Sequence, residues 1–140
     1  MKKHILIVDD NERLFDSLAI NLRKNKLEPH WAGCGAAAVK LLAERRFSAV
    51  FLDLALGEEK GIELLPEILA SRSGLPVIII TGFGTLEMAV KAIKMGAHDF
   101  LSKPLDIDRL LSILWSALGT DQPSDQADVW RRGSGMVAQS

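Results

Sequence analysis

The sequence predicts an α/β fold: a doubly wound, five-stranded parallel sheet with helices on both faces. Two observations carry this reading. Short apolar runs alternate with stretches of helical periodicity five times along the 140 residues. The runs are apolar at consecutive positions, as strands are when both faces are covered.

Ile5-Leu6-Ile7-Val8 is the first buried-strand run. Residues 11–24 follow with Leu14, Phe15, Leu18 and Leu22 at helical spacing, and Asp10 or Asn11 can cap that helix. After a turn at Asn25, residues 28–32 make a weaker strand, and the Ala/Leu-rich residues 35–46 a helix. Ala49-Val50-Phe51-Leu52 is the third strand. A loop over 57–60 leads to a helix over 61–72. Residues 76–80 are the most strand-like segment. A helix over 85–95 stops at Gly96, and 99–102 form the fifth strand. Lys103-Pro104 turns the chain into a last helix over 106–118. Right-handed crossovers leave the doubly wound arrangement, and the common five-stranded version is flavodoxin-like with order 2-1-3-4-5. Residues 1–118 are expected to form the domain. The polar stretch from Gly119 reads as a linker, so 119–140 is expected to be a tail toward a further domain.

Composition narrows the function classes. With 48% hydrophobic and 25% charged residues the chain has the make-up of a globular protein. A net charge of −1 with scattered basic residues gives no footprint of a nucleic-acid binder. The single cysteine, Cys34, excludes an internal disulfide and fits a reducing compartment. No run approaches the roughly 18 apolar residues of a membrane span, and acids at Asp9 and Asp10 interrupt any signal-peptide pattern. The expectation is a cytoplasmic protein without membrane association.

In such a sheet, ligands bind beyond the carboxyl ends of the strands. Asp9 and Asp10 follow the first strand, Asp53 the third, Thr81 and Gly82 the fourth, Lys103 the fifth. Alone, each is commonly a helix cap, a turn residue or a surface lysine. Together they form a chemical set. Three carboxylates in one pocket repel, and without a cation one tends to keep its proton. Mg²⁺ accepts hard oxygen ligands and removes the difficulty. Asp10 and Asp53 can ligate it directly, Asp9 through water, and a backbone carbonyl after Asp53 can complete the set. Asp53 can then attack phosphorus. Lys103, the Thr81 hydroxyl and the Gly82 N–H can meet the transferred oxygens.

The segments Ile5-Leu6-Ile7-Val8-Asp9-Asp10-Asn11-Glu12, Phe51-Leu52-Asp53-Leu54, Thr81-Gly82 and Asp99-Phe100-Leu101-Ser102-Lys103-Pro104 resemble the receiver domain of bacterial response regulators, over residues 3–118. The resemblance implies a signalling switch, not a turnover enzyme. It makes Asp53 the phosphoacceptor, Asp9 and Asp10 metal acids, and the Ala55 backbone a metal ligand. Thr81 and Phe100 become a switch pair, and Lys103 the lysine that contacts the phosphoryl group. The implied donor is a phosphohistidine on a sensor kinase. Residues 81–84 and 89–100 look like the NtrC-type branch, whose members add an ATPase acting on sigma-54 RNA polymerase and a DNA-binding helix-turn-helix. Residues 51–58 are similar to the AlgB-like subgroup. No GxxxxGK[ST] occurs, so contacts to DNA and polymerase belong to domains outside this chain.

Several finer expectations follow. Gly57 stands where the family usually has Pro, which predicts a looser loop, and Glu58 and Glu59 add negative charge nearby. Leu86, Ala89, Val90 and Ile93 form one apolar stripe and Met88, Ala92 and Met95 a second, which suggests a homodimer through the fourth helix, fifth strand and fifth helix. Ala55 and Phe83 are expected to flank the phosphoryl group. Both are apolar, so a long-lived acyl phosphate is expected. Trp31 and Trp115 are read as packing residues, and His4, His30 and His98 as unrelated. Two other readings remain: a flavodoxin-like nucleotide or flavin module, against which Asp9-Asp10 stand where a glycine-rich loop is needed, and a degenerate receiver serving only protein contacts.

Overall fold

The structure is a computed structural model that describes residues 2–82 and 86–119. The main sheet is built from β1 (Lys3–Val8), β2 (Leu27–Ala32), β3 (Ala49–Asp53), β6 (Val77–Thr81) and β7 (Asp99–Ser102). All its pairings are parallel and its order is β2-β1-β3-β6-β7, the 2-1-3-4-5 arrangement of the flavodoxin-like fold. Two further strands, β4 (Ala55–Leu56) and β5 (Glu59–Lys60), make a separate antiparallel hairpin. The helices are α1 (Glu12–Lys24), α2 (Gly35–Glu44), α3 (Gly61–Ser71), α4 (Leu86–Met95) and α5 (Ile107–Leu118).

Strand alternation divides the core in two. Leu6, Val8, Val50, Leu52, Val77 and Ile79 point to one face, where Ala38, Leu65, Ile68 and Ala92 of α2, α3 and α4 cover them. Ile5, Ile7, Phe51, Ile78 and Ile80 point to the other, under Leu18 and Leu22 of α1 and Leu110 and Leu114 of α5. Consecutive apolar residues in the sequence are therefore needed: a polar residue at either parity would enter a core.

The helix starts follow capping chemistry. Asn11 accepts from the Arg13 N–H, and Asp106 from the Asp108 and Arg109 N–H groups. Gly119, at φ 70°, closes α5 in the left-handed region. Glu59 supplies a cap from a distance. Its Oε1 accepts from the Gly35 N–H at 2.9 Å, so a hairpin residue satisfies the N-terminus of α2.

Two expectations are corrected. The segment after Asp53 is a paired hairpin rather than a looser loop, because Gly57 at φ 61° takes a turn conformation that proline cannot adopt. On α4 the inward and outward faces differ from the expected stripes. Ala89 and Ala92 are fully buried and Met88 packs against the core, while Leu86, Val90, Ile93 and Met95 are exposed. Small alanines let α4 approach the sheet closely, and the larger apolar residues are left facing outward. The tail at 120–140, Phe83, and the expected helix start at Thr85 lie outside the described residues.

Candidate functional site

The carboxyl ends of β1, β3, β6 and β7 converge at one edge of the sheet. Asp9 follows β1 directly and is fully buried. Its carboxylate Oδ1 accepts from the Asn11 N–H at 2.7 Å, and its carbonyl accepts from the Trp31 indole N–H at 2.7 Å. Trp31, expected only to pack, thus anchors the backbone of the first acid. Asp10 beside it is exposed. Asp53 ends β3 and is 2% exposed. Its Oδ1 accepts from the Ala55 N–H at 2.9 Å. One carboxylate oxygen from each of Asp9, Asp10 and Asp53 lies within 4.8 Å of the others.

Lys103 reaches this cluster from the end of β7. Its N–H donates to the Thr81 carbonyl at 2.9 Å, which continues the β6–β7 ladder and fixes where the side chain starts. The Lys103–Pro104 peptide is cis. The ammonium donates to Asp53 Oδ2 at 2.7 Å and stands 3.4 Å from Asp9 Oδ2. Burial pulls the lysine toward its neutral form, but the hydrogen bond and charge of Asp53, helped by Asp9, outweigh it and leave its pKa raised. Asp9 moves the other way. Burial, together with the charge of Asp53, lifts it from 3.8 to about 6 despite the Asn11 N–H. Asp9 Oδ2 is also buried without a hydrogen bond among the described residues. A buried, unsatisfied carboxylate oxygen facing two other carboxylates fits a hard divalent cation.

Thr81 ends β6, is 2% exposed, and donates its hydroxyl to the Gly82 carbonyl at 3.0 Å. It lies at the same sheet edge as Asp53, one residue beyond the Asp53↔Ile80 pair. Phe100 is half-buried on β7, opposite Ile79, and packs against the α2–α4 side of the core. Ala55, exposed in the hairpin, offers its backbone next to the acceptor. Phe83 lies outside the described residues.

Gly61 is a residue whose role the sequence reading missed. A Cβ there would collide with the Asp53 carbonyl and stand 2.7 Å from Leu54 Cα. The start of α3 therefore presses on the backbone that presents Asp53, and only glycine permits it. Glu59 is a second such residue: its side chain caps α2, a contact that the sequence reading did not foresee. The signal was present in both cases only as a residue type, without its distant neighbour.

Residues 5–114 match the response regulator receiver domain family. A putative NtrX-like response regulator of Rickettsia conorii is 45% identical over 116 residues, covering 81% of this chain and 24% of its own length. The chain thus spans about a quarter of that relative's length. The receiver domain of NtrX from Brucella abortus superimposes with a TM-score of 0.78 at 38% identity, over 83% of this chain and 98% of that one. A response regulator from Burkholderia pseudomallei, solved with a phosphorylated aspartic acid, a calcium ion and citrate, gives 0.77 at 28% identity, over 84% and 69%. An acidic trio with a lysine at the carboxyl edge of a 2-1-3-4-5 sheet, and a family match over most of its length, place this chain among the response regulator receiver domains.

Proposed function

We propose that Asp53 accepts a phosphoryl group from a phosphohistidine on a partner sensor kinase. The observation that carries this is the pairing of a nearly buried Asp53 with Lys103 at 2.7 Å, beside two further carboxylates. An Asp53 carboxylate oxygen forms the new bond to phosphorus while the donor P–N bond breaks. The bond's electron pair stays on the imidazole nitrogen, which takes up a proton. Lys103 turns from Asp53 Oδ2 toward the incoming oxygens, and the Thr81 hydroxyl and Gly82 N–H give further donors. Asp9, Asp10, Asp53 and the Ala55 carbonyl would hold Mg²⁺, which when bound neutralises charge on the carboxylates and the transferred oxygens.

Phosphorylation then acts as a switch. Thr81 leaves its bond to the Gly82 carbonyl for the phosphoryl group, and Phe100 moves into the space vacated. Hydrolysis is slow, because the methyl side chain of Ala55 cannot orient an attacking water. The changed surface of α4, β7 and α5 pairs two copies through Leu86, Val90 and Ile93. In a cytoplasmic regulator of the NtrC type this controls an ATPase domain acting on sigma-54 RNA polymerase, with DNA contacted by a further domain. Similarity to NtrX-like relatives supports that output.

Incubation with Mg²⁺ and acetyl phosphate tests the central step. Intact-mass spectrometry is expected to show one added phosphoryl group on the wild-type chain and none on Asp53→Asn. A wild-type chain without the adduct, or an adduct undiminished in Asp53→Asn, overturns it.

A further inference from the structure

The face opposite the phosphoacceptor carries a second constellation. At the amino ends of β1, β3 and β6 an open groove of about 760 Å³ is lined by Lys2, Lys3, Arg45, Arg46 and Arg72, with Glu44 the single lining acid among the described residues. The whole chain has a net charge of −1, so this concentration of positive charge is local. None of the five cations has a carboxylate within 4.0 Å among the described residues, where the ion pairs are those of Lys103 with Asp9 and Asp53. Two of the arginines are anchored by groups other than carboxylates instead. Arg72 donates to the Phe47 carbonyl at 2.6 Å, and Arg45 lies 3.2 Å from the His4 ring Nε2. Each keeps further N–H donors. His4 also meets His30, ring nitrogens 3.0 Å apart, a pairing across β1 and β2 that the sequence did not reveal. Burial, then Arg45 and His4, hold His30 below its ordinary pKa, so protonation beside the groove is disfavoured.

We propose that this groove binds a small oligophosphate-bearing ligand. Five positive side chains around one volume match the several negative charges of a di- or triphosphate better than a single carboxylate. Guanidinium forks suit phosphate oxygens. The volume lies in the range of small-molecule sites, roughly 300–1,000 Å³. Pro76 and Leu118 also line the groove and give an attached organic group apolar surface. The site is separate from the acidic cluster and independent of phosphorylation at Asp53.

The test uses inorganic tripolyphosphate as the probe, the full chain, EDTA to exclude metal effects, and about 0.15 M salt so that diffuse attraction is screened. Calorimetry is expected to show one site per chain, with orthophosphate about tenfold weaker or more. Lys3→Ala with Arg46→Ala removes two exposed cations whose side chains make no hydrogen bond or ion pair within the described residues. The fold is therefore retained, and the double variant is expected to bind about tenfold more weakly. Arg72→Lys, which keeps charge but loses the fork, is expected to weaken binding less. Backbone amide shifts are expected at residues 44–48 and 72–75. Undiminished binding by the double variant, shifts centred on Asp9, Asp53 and Lys103 instead, or tighter binding of a glutamate-rich peptide of equal charge overturns the proposal.

Discussion

Asp9 makes the electrostatic argument quantitative. In the metal-free fold its carboxyl is lifted from 3.8 to about 6, chiefly by burial. A folded-state pKa above the unfolded one means that the fold favours the protonated acid. Its stabilising contribution is complete below pH 3.8 and is lost as pH rises through about 6. At 1.36 kcal/mol per pH unit the gap amounts to about 3 kcal/mol. Asp9→Asn removes the ionisation and keeps an oxygen to accept from the Asn11 N–H. In EDTA, urea unfolding of the variant and wild type should therefore diverge as pH rises from 4 to 7. Over that interval the variant should gain about 2 kcal/mol relative to wild type, because part of the gap is already lost at pH 4. Saturating Mg²⁺ should shrink this advantage at pH 7, since a cation tenfold above its Kd stabilises the wild type by about 1.4 kcal/mol. A pH-independent difference between the two proteins, or a variant that loses ground as pH rises, refutes the reasoning.

Three other outcomes follow from single contacts. Gly61→Ala drives a methyl into the backbone of Asp53 and Leu54; we expect a loss of about 1–3 kcal/mol in chemical denaturation and slower phosphorylation by acetyl phosphate. Equal stability and rate would show that the start of α3 does not constrain the acceptor. Trp31, bonded to the Asp9 carbonyl, should report metal by a change in intrinsic fluorescence on Mg²⁺ addition, absent in Trp31→Phe. A change that survives in the variant would assign the signal elsewhere. Val90→Lys with Ile93→Lys places charge on the exposed face of α4 and should abolish dimerisation induced by beryllofluoride, measured by sedimentation. Wild-type chains that stay monomeric under the same treatment would remove the dimer from the account.

The parts of the molecule legible in the sequence are those that repeat or sit next to one another. Consecutive apolar residues such as Ile5-Leu6-Ile7-Val8 disclosed two-faced strands because each parity enters its own core. The strand order then placed Asp9, Asp10, Asp53 and Lys103 at one edge, so the charged cluster could be anticipated before any distance was known. What escaped depends on neighbours distant in the chain. Gly61 matters through Asp53 and Leu54, Glu59 through Gly35, Trp31 through Asp9, and His4 through His30. The faces of α4 were misassigned for a related reason. Periodicity shows that two apolar stripes exist, but the sheet decides which is buried, and here close approach selects the alanines.

The same logic explains why the acidic cluster is tolerated. Lys103 already supplies one positive charge between Asp9 and Asp53, yet Asp9 Oδ2 has no hydrogen bond among the described residues and its pKa remains high. One ammonium only partly compensates the buried acids. The remaining deficit gives a dication a thermodynamic reason to bind, and on the proposed function a bound dication would take over charge at Asp53 and free Lys103 to meet an incoming phosphoryl oxygen. On this argument, metal binding and lysine availability are a single coupled equilibrium centred on Asp53.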